Sequence, residues 1–543
     1  MDNIIHQSLD GTWKLAVIHQ ADFVNREVPA TCNAVAAAGA IDATVPGNFE
    51  IDLERAGIIP DPFFGKNLLD MLKYEDCHVL YARRFSYSPQ PGTVPEFVFE
   101  GIDTIADIYL NGVFLAHTEN MYVTHRIDGS ALKDGENEIV VHILPACIEA
   151  RKNAVSAGNA HLKYNYECLR LRKSPAMFGW DISPRLVSAG IYRSAGIYRR
   201  PAESLRQCYL MTKGIDVPRR TARVELFYET GIGDNPVSGY AITVKGKCGA
   251  SEFSHSSRLW FTAGKLEFDI DNAEFWWPRN YGAPNLYSVE VTLEKNGKVL
   301  DSYTFRTGLR TVKLVRTGTT DITHSGAFHF VVNGRRVFIM GSNWVPVDAY
   351  HSRDKGRIPA IMELLNDIGC NTLRCWGGSI YEDPLFYRCC DEMGIMVWQD
   401  FAMACGIYPT DHDFKEVMYR EAVQVIRLLR QHPSIILWSG DNECDQFVTG
   451  SYGRDPGRNR ITREVYPDAL YNEDPTRPYL PSSPYIDEEA AKLPGEYLSE
   501  NHLWGPRDYF KGEFYKGSLA HFASEMGYHG SVSVKSMGRF ISP

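Results

Sequence analysis

Up to about residue 200, apolar and polar positions alternate in short runs broken by turn residues, the period-two signature of half-buried strands. In Ile108-Tyr109-Leu110-Asn111-Gly112-Val113-Phe114-Leu115 an Asn-Gly step separates two such runs, a strong hairpin signal because both turn positions need positive φ. The style repeats from 201 to 310. Val224-Glu225-Leu226-Phe227 and Leu266-Glu267-Phe268-Asp269-Ile270 alternate, and Asn296-Gly297 follows Val289-Glu290-Val291-Thr292-Leu293. Two β-sandwiches are predicted, over 1–200 and 201–310. Gly231-Ile232-Gly233 lies among these strands with no helix after it and reads as a turn, not as a phosphate loop.

From about residue 311 the period lengthens. Ile358, Ile361, Leu365 and Ile368 recur at helical spacing until Gly369, and Thr372-Leu373-Arg374-Cys375-Trp376 follows as a strand. Pro384 to Met393 reads as a helix closed by Gly394, leading into Ile395-Met396-Val397-Trp398. Asp413 with Glu416 forms a capping box for a helix running to His432, and Pro433 ends it before Ser434-Ile435-Ile436-Leu437-Trp438. Repeated βα units imply a parallel sheet, and over 311–543 the expected form is a (β/α)8 TIM barrel with catalysis at the strand C-termini.

Composition narrows the function classes. The chain has 543 residues, 44% of them hydrophobic, which is too long for one core. The net charge of -10 is spread without a basic stripe, so nucleic acid is not an expected partner. The start, Met1-Asp2-Asn3-Ile4-Ile5-His6, lacks a signal-type n-region, and no apolar run reaches the roughly 18 residues that span a bilayer. The chain therefore reads as cytoplasmic, with no membrane contact. Its 12 cysteines, with adjacent Cys389-Cys390, show no CxxC spacing and are expected to be buried, reduced thiols. The histidines show no HExxH cluster, so neither a metal nor a cofactor is expected. The 10 Trp and 29 Tyr suit sugar-binding surfaces, although most such rings fill cores. Oligomeric state is not readable from these features.

Polar residues that end barrel strands face the substrate side. They are Trp376-Gly377-Gly378, Gln399-Asp400, Asp441-Asn442-Glu443, His502 with Trp504, and Ser524-Glu525. Glu443 and Glu525, on two different strands and among Trp, His and Asn, have the makings of a glycosidase pair, in which one carboxyl protonates the leaving oxygen and the other attacks the anomeric carbon. Asn442 could supply the bond to a sugar 2-hydroxyl that strengthens in the transition state. By spacing alone, each glutamate reads equally well as a solvated loop residue or an ion-pair member.

Leu437-Trp438-Ser439-Gly440-Asp441-Asn442-Glu443 resembles the acid/base segment of glycoside hydrolase family 2, and Phe522-Ala523-Ser524-Glu525-Met526-Gly527 resembles its nucleophile segment. Ser8-Leu9-Asp10-Gly11-Thr12-Trp13, Val45-Pro46-Gly47 and Phe99-Glu100-Gly101-Ile102-Asp103 resemble its opening jelly roll. Trp276-Trp277-Pro278, Leu286-Tyr287 and Gly308-Leu309-Arg310 resemble its immunoglobulin-like domain. Phe178-Gly179-Trp180-Asp181, Gly341-Ser342-Asn343-Trp344-Val345-Pro346, Arg374-Cys375-Trp376-Gly377-Gly378 with Tyr381-Glu382, and Val397-Trp398-Gln399-Asp400-Phe401 resemble the β-mannosidase branch. The resemblance implies a retaining exo-β-glycosidase that removes terminal β-mannose from oligosaccharides or glycosides. Glu443 would be its acid/base, closing the fourth strand, and Glu525 its nucleophile, closing the seventh, about 5–5.5 Å apart. It also implies that Asp181 reaches the barrel mouth, that Trp376 floors the subsite, that Asn442 meets the 2-hydroxyl, and that His502 and Trp504 line the site. A water-poor site is expected to keep Glu443 protonated near neutral pH.

Four departures loosen the sugar preference: Ile182 stands where a second Trp is usual, Asp441 replaces Asn, Ser379 replaces Gly, and Tyr528-His529-Gly530 lacks a Gln. Galactosides, glucuronides and glucosaminides therefore stay open as substrates. Only 18 of the 543 residues follow Glu525, too few for the last helix, an eighth strand and its helix. The barrel is thus expected to be truncated at its C-terminal end and weakly stable or inactive, which also leaves a non-catalytic carbohydrate-binding role open.

Overall fold

The computed structural model describes residues 5–162, 165–233, 237–506, 509, 511–527 and 530–541. The chain forms two compact units. One holds Ile5–Arg199 with Pro346–Gly356 and residues 530–541, and the other holds Arg200–Val345 and the chain from Arg357 through Gly527.

The first unit is an antiparallel sandwich. A six-stranded sheet runs in the order Ile41–Val45, Gly11–His19, Cys77–Tyr87, Gly135–Ile143, Ala106–Leu110, Val113–Thr118, and a four-stranded sheet in the order Ile5–Ser8, Ala195–Pro201, Thr93–Phe99, His125–Asp128. Alternation places Trp13, Leu15, Val79, Tyr81, Phe97, Phe99, Ile139 and Val141 in its core. The predicted hairpin forms: Asn111 and Gly112 adopt φ of 53° and 81° between Ala106–Leu110 and Val113–Thr118. The segment from Phe178 to Arg185 doubles back on itself. Arg185 grips Glu75 through Nε and Nη2 at 2.7 Å each, and Trp180 N–H donates to the Ser183 carbonyl at 2.8 Å.

In the second unit, a three-stranded sheet (Ser204–Asp216, Thr221–Gly231, Ala263–Ile270) faces a four-stranded one (Ser251–Arg258, Tyr240–Cys248, Tyr287–Lys295, Lys298–Thr307). Val224, Leu226, Ile242, Val244, Val289 and Val291 fill the space between them. Gly231 ends one of these strands and no helix follows Ile232-Gly233 among the described residues, so this stretch does not form a phosphate loop.

Parallel strands follow in the same unit: β1 (Gly341–Trp344), β2 (Thr372–Cys375), β3 (Met396–Asp400), β4 (Ile435–Ser439) and β5 (Tyr479–Leu480) form one sheet in that order, and β6 (Glu500–Leu503) pairs with β7 (Phe522–Met526). Asn343 of β1 donates to the Ser524 carbonyl of β7 at 3.3 Å. Among the described residues the barrel thus has seven strands. A small antiparallel sheet over 312–337 packs Phe328 and Phe330 against Trp398, Leu437 and Phe522.

The barrel helices include α1 (Asp354–Asp367), α2 (Pro384–Met393) and α3 (His412–Leu429). In α2, Pro384 occupies the first turn, the Asp383 side chain caps it, and Gly394 ends it at φ 68°. α3 differs from expectation. The Asp411 carboxylate, not that of Asp413, accepts from Phe414 N–H at 3.2 Å, so the helix starts earlier, and it stops at Leu429. In and beside α1, Ile358 is buried, Ile361 and Leu365 are half-buried, and Ile368 is 75% exposed, so the predicted core stripe is covered only at its start. All 12 cysteines are free thiols, ten of them buried.

Candidate active site

Residues on or just past five strands, β2, β3, β4, β6 and β7, converge on one guanidinium. β2 is buried at all four positions, so Arg374 brings a charge into the barrel that needs partners. Its Nη2 donates to Asp400 Oδ2 at 2.8 Å and to Asn442 Oδ1 at 2.9 Å, and its Nη1 donates to Glu525 Oε2 at 3.1 Å. Burial works against its charge, but Asp400 and Glu525 more than offset this and keep the guanidinium firmly protonated. Asp400 also accepts from Trp398 Nε1 at 2.9 Å and Gly377 N–H at 3.1 Å. At Gly377 a Cβ would lie 2.4 Å from the Met403 carbonyl oxygen, so only glycine lets the β2 exit pass this close.

Glu443 lies past the end of β4, after Gly440-Asp441-Asn442, in a left-handed conformation, φ 59°, which costs a non-glycine residue about 1–2 kcal/mol. Backbone bonds on both sides hold it there: Glu443 N–H to Ser483 O at 2.8 Å, Asn442 N–H to Met403 O at 3.0 Å, and Cys405 N–H to Asn442 O at 2.9 Å. Its Oε1 lies 2.6 Å from His502 Nδ1, and its Oε2 accepts from Cys405 Sγ at 3.2 Å. Burial and the Glu443 charge keep Cys405 a thiol, so the sulfur is the donor.

Glu525, on β7, accepts from Trp504 Nε1 at 2.9 Å on Oε1 and from Arg374 on Oε2. An oxygen of Glu443, an oxygen of Glu525 and a ring nitrogen of His502 all lie within 4.8 Å of one another. This is the one such group among the described residues compact enough for a cation. The Arg374 guanidinium already supplies positive charge there and both His502 nitrogens are engaged, Nδ1 by Glu443 and Nε2 by Ser483, so the donor set reads as a carboxylate pair and not as a metal site. The two glutamate side chains stay 23% and 14% exposed, whereas His502 beneath them is 1% exposed.

The protonation expected for Glu443 does not match this geometry. Burial pushes its carboxyl up, but the hydrogen bond and charge of His502, the Cys405 thiol and Arg374 pull it further down, so it sits below the ordinary carboxylate value. His502 moves the opposite way. Burial opposes its imidazolium, while Glu525 and Glu443 together raise the ring above 6.5. Asp441 adds less charge beside Glu443 than expected. It is fully buried, accepts from Ser482 Oγ at 2.5 Å and Asn459 Nδ2 at 2.7 Å, and is pushed up to about 7 by burial and by Asp445.

Of the residues expected at the site, Glu443, Asn442, His502, Trp504 and Glu525 come together around Arg374, and Trp376 is buried just past β2. Asp181 lies on the exposed bend of the first unit next to Ile182. Tyr528 and His529 lie outside the described residues. The sequence places Asp400 at a strand end and Arg374 within a motif without giving either a role, and it does not single out Cys405, Ser483 or Glu500. Arg374 carried a signal as a charge inside an otherwise apolar strand, and Asp400 as a carboxylate ending one.

Residues 25–193 match the glycosyl hydrolase 2 galactose-binding domain-like profile, 223–310 that of glycosyl hydrolases family 2, and 326–480 its TIM barrel domain. Over 528 residues the chain is 30% identical to β-mannosidase B of Thermothelomyces thermophilus, covering 91% of this chain and 60% of the relative. It is 31% identical to the Bos taurus β-mannosidase over 487 residues, covering 82% of this chain and 53% of that one. The crystal structure of the β-D-mannosidase from Dictyoglomus thermophilum superposes with a TM-score of 0.86 at 29% identity, covering 99% of this chain and 65% of that one. The chain thus spans 53–61% of the length of the curated relatives it matches. With three successive domains of one family in order and β-mannosidase relatives along most of its length, the chain belongs to glycoside hydrolase family 2 and is β-mannosidase-like.

Proposed function

We propose that this protein is a retaining exo-β-glycosidase that hydrolyses terminal non-reducing β-mannose residues by double displacement. The observation that carries the reading is the approach of Glu443 and Glu525, at the ends of β4 and β7, to within 4.8 Å. Inverting enzymes keep their carboxyls about 6.5–9.5 Å apart to admit a water, whereas direct attack needs about 5–5.5 Å. Glu525 is the nucleophile: donors on both oxygens fix its orientation, and it forms a bond to the anomeric carbon as the aglycone departs. Glu443 protonates the leaving oxygen and then deprotonates the water that releases the sugar. Asn442 accepts from Arg374 through its oxygen and gives one amide hydrogen to Cys405 Sγ at 3.7 Å, which leaves the other to meet the 2-hydroxyl. The mannose preference rests on the β-mannosidase relatives.

Turnover of 4-nitrophenyl β-mannoside above the matching glucoside, galactoside, glucuronide and glucosaminide is the expected result. Glu443→Gln should lose about 10²–10⁴-fold in kcat/KM, and Glu525→Ala at least as much. With azide, Glu443→Ala should yield a β-mannosyl azide and Glu525→Ala the α anomer. Sugar binding with no turnover of any of the five glycosides would overturn the reading.

A further inference from the structure

His502 carries more structure than a group that merely lines a site. Its Nδ1 lies 2.6 Å from Glu443 Oε1 and 3.5 Å from Glu525 Oε2. Its Nε2 lies 3.1 Å from Ser483 Oγ, and that hydroxyl is 2.7 Å from Oε1 of Glu500. Glu500 is itself buried and also accepts from Ser524 Oγ. An imidazolium in this position finds an acceptor for each N–H: Glu443 on one side, and on the other Ser483, whose own hydrogen passes to Glu500.

The charges around the ring favour that form. Facing it are Glu443 after β4, Glu525 on β7 and Glu500 on β6, with Asp400 of β3 one residue further out behind Arg374. Against these four carboxylates stands one cation, Arg374 of β2, whose Nη1 donates to Glu525 and lies 3.2 Å from Nε2, the one neighbouring charge that opposes a charged ring. Ser483, after β5, completes the surround and carries no charge. A second positive charge among four negative ones lowers the electrostatic cost of the site. The ring is almost fully shielded from water and Glu443 is not, so protons reach His502 by way of Glu443.

Building on the reading of Glu443 as acid/base, we propose that His502 is its proton store: the proton given to the glycosidic oxygen rests on His502 Nδ1 before reaction, with Ser483 and Glu500 orienting the ring. In the first step Glu525 bonds to the anomeric carbon and the bond from that carbon to the leaving oxygen breaks. The proton passes from Nδ1 to Glu443 and on to the departing oxygen, which leaves a neutral imidazole. In the second step water attacks the anomeric carbon, the bond to Glu525 breaks, and the water proton returns through Glu443 to Nδ1. His502 is a positioning residue that acts through Glu443.

The test uses the whole chain with His502→Gln, with Ser483→Ala as a milder second variant and circular dichroism confirming that both fold. For 2,4-dinitrophenyl β-mannoside, whose leaving group needs no proton, kcat/KM should change less than about threefold. For methyl β-mannoside it should fall at least about tenfold, with the basic limb of the pH profile moved to lower pH. Equal losses on both substrates in both variants would mean a merely structural role and overturn the proposal. Ring-¹⁵N NMR, with the His502 signal assigned by its loss in His502→Gln, reads the ring without requiring turnover. The expected result is an imidazolium at pH 7 that becomes neutral in Glu443→Gln, and a neutral ring in the unsubstituted chain would sink the idea. If the ring is charged but no glycoside turns over, the proton store stands and the proposed activity is what fails.

Discussion

The candidate site depends on Arg374 more than on either glutamate, because one guanidinium balances carboxylates from two strands while sitting 4% exposed. Removing one partner of a buried pair strands the other charge in a medium that solvates it poorly, at a cost of about 3–5 kcal/mol. Arg374→Gln should therefore lower stability in urea by that amount and abolish turnover, with Asp400 and Glu525 left unpaired. Arg374→Lys restores the charge but not the fork that reaches Asp400, Asn442 and Glu525 together, so it should recover most of the stability and little of the activity. Equal stability of Arg374→Gln and the unsubstituted chain would show that water reaches those carboxylates. Sequence reasoning found the two glutamates because they end apolar strands. It missed Cys405 and Ser483 because loops bring them in, and no periodicity marks where a loop side chain comes to rest; Glu500 opens β6, a short strand whose start no apolar run announces.

The readable elements were those whose burial is one-sided or complete. β2, β3 and β4 emerged from short apolar runs within a residue or two of their ends, and both Asn-Gly hairpins formed at the predicted steps. The start of α3 was misplaced because Asp411 and Asp413 are equally good caps by type, and only the path of the chain decides between them. Paired strands also hide a titrating element that spacing does not reveal. His78, on Cys77–Tyr87, and His142, on the neighbouring Gly135–Ile143, meet ring to ring at 2.8 Å under Phe23. Burial pushes them down to about 3 and about 4, with each other's proximity adding to the fall at His78. The unfolded chain takes up these protons near pH 6.5, while the folded one refuses them until far lower pH. Stability is thus fully present above about 6.5 and declines as the pH falls from there towards 4. At pH 5 each histidine accounts for about 2 kcal/mol of lost stability. His142→Gln keeps a donor near the Nε2 position and removes one titrating group, so the loss in urea stability between pH 7.5 and 5 should shrink by that amount. An unchanged loss would mean that the pair opens to water in the folded state.

At the scale of the whole molecule, the second sandwich and the barrel are joined by buried polar contacts that neither could satisfy alone. Arg310 donates to the carbonyls of Pro433 and Ile435 at 2.9 and 2.7 Å, Gln431 donates to Cys208 O at 2.7 Å, and Tyr209 donates to Asp474 at 2.8 Å. Trp276 anchors the join. It is fully buried, its indole N–H donates to Asp391 O at 2.9 Å, and its ring shares a core with Phe330, Trp398 and Leu437 of the barrel side. Pulling the sandwich from the barrel would leave these donors and acceptors unpaired in an apolar surface, each at a cost of about 1–3 kcal/mol, so the two have no separate stable states to occupy. They should unfold as one cooperative unit. Trp276→Ala should cost about 3–5 kcal/mol by the cavity it opens. It should lower the urea midpoint equally for two probes: hydrogen exchange over the sandwich strand Tyr240–Cys248, and hydrogen exchange over the barrel strand Ile435–Ser439. Two separated transitions, with the barrel strand protected after the sandwich has opened, would show instead that the barrel holds its own core and that the contacts at Arg310, Tyr209 and Gln431 only dock one folded body onto another.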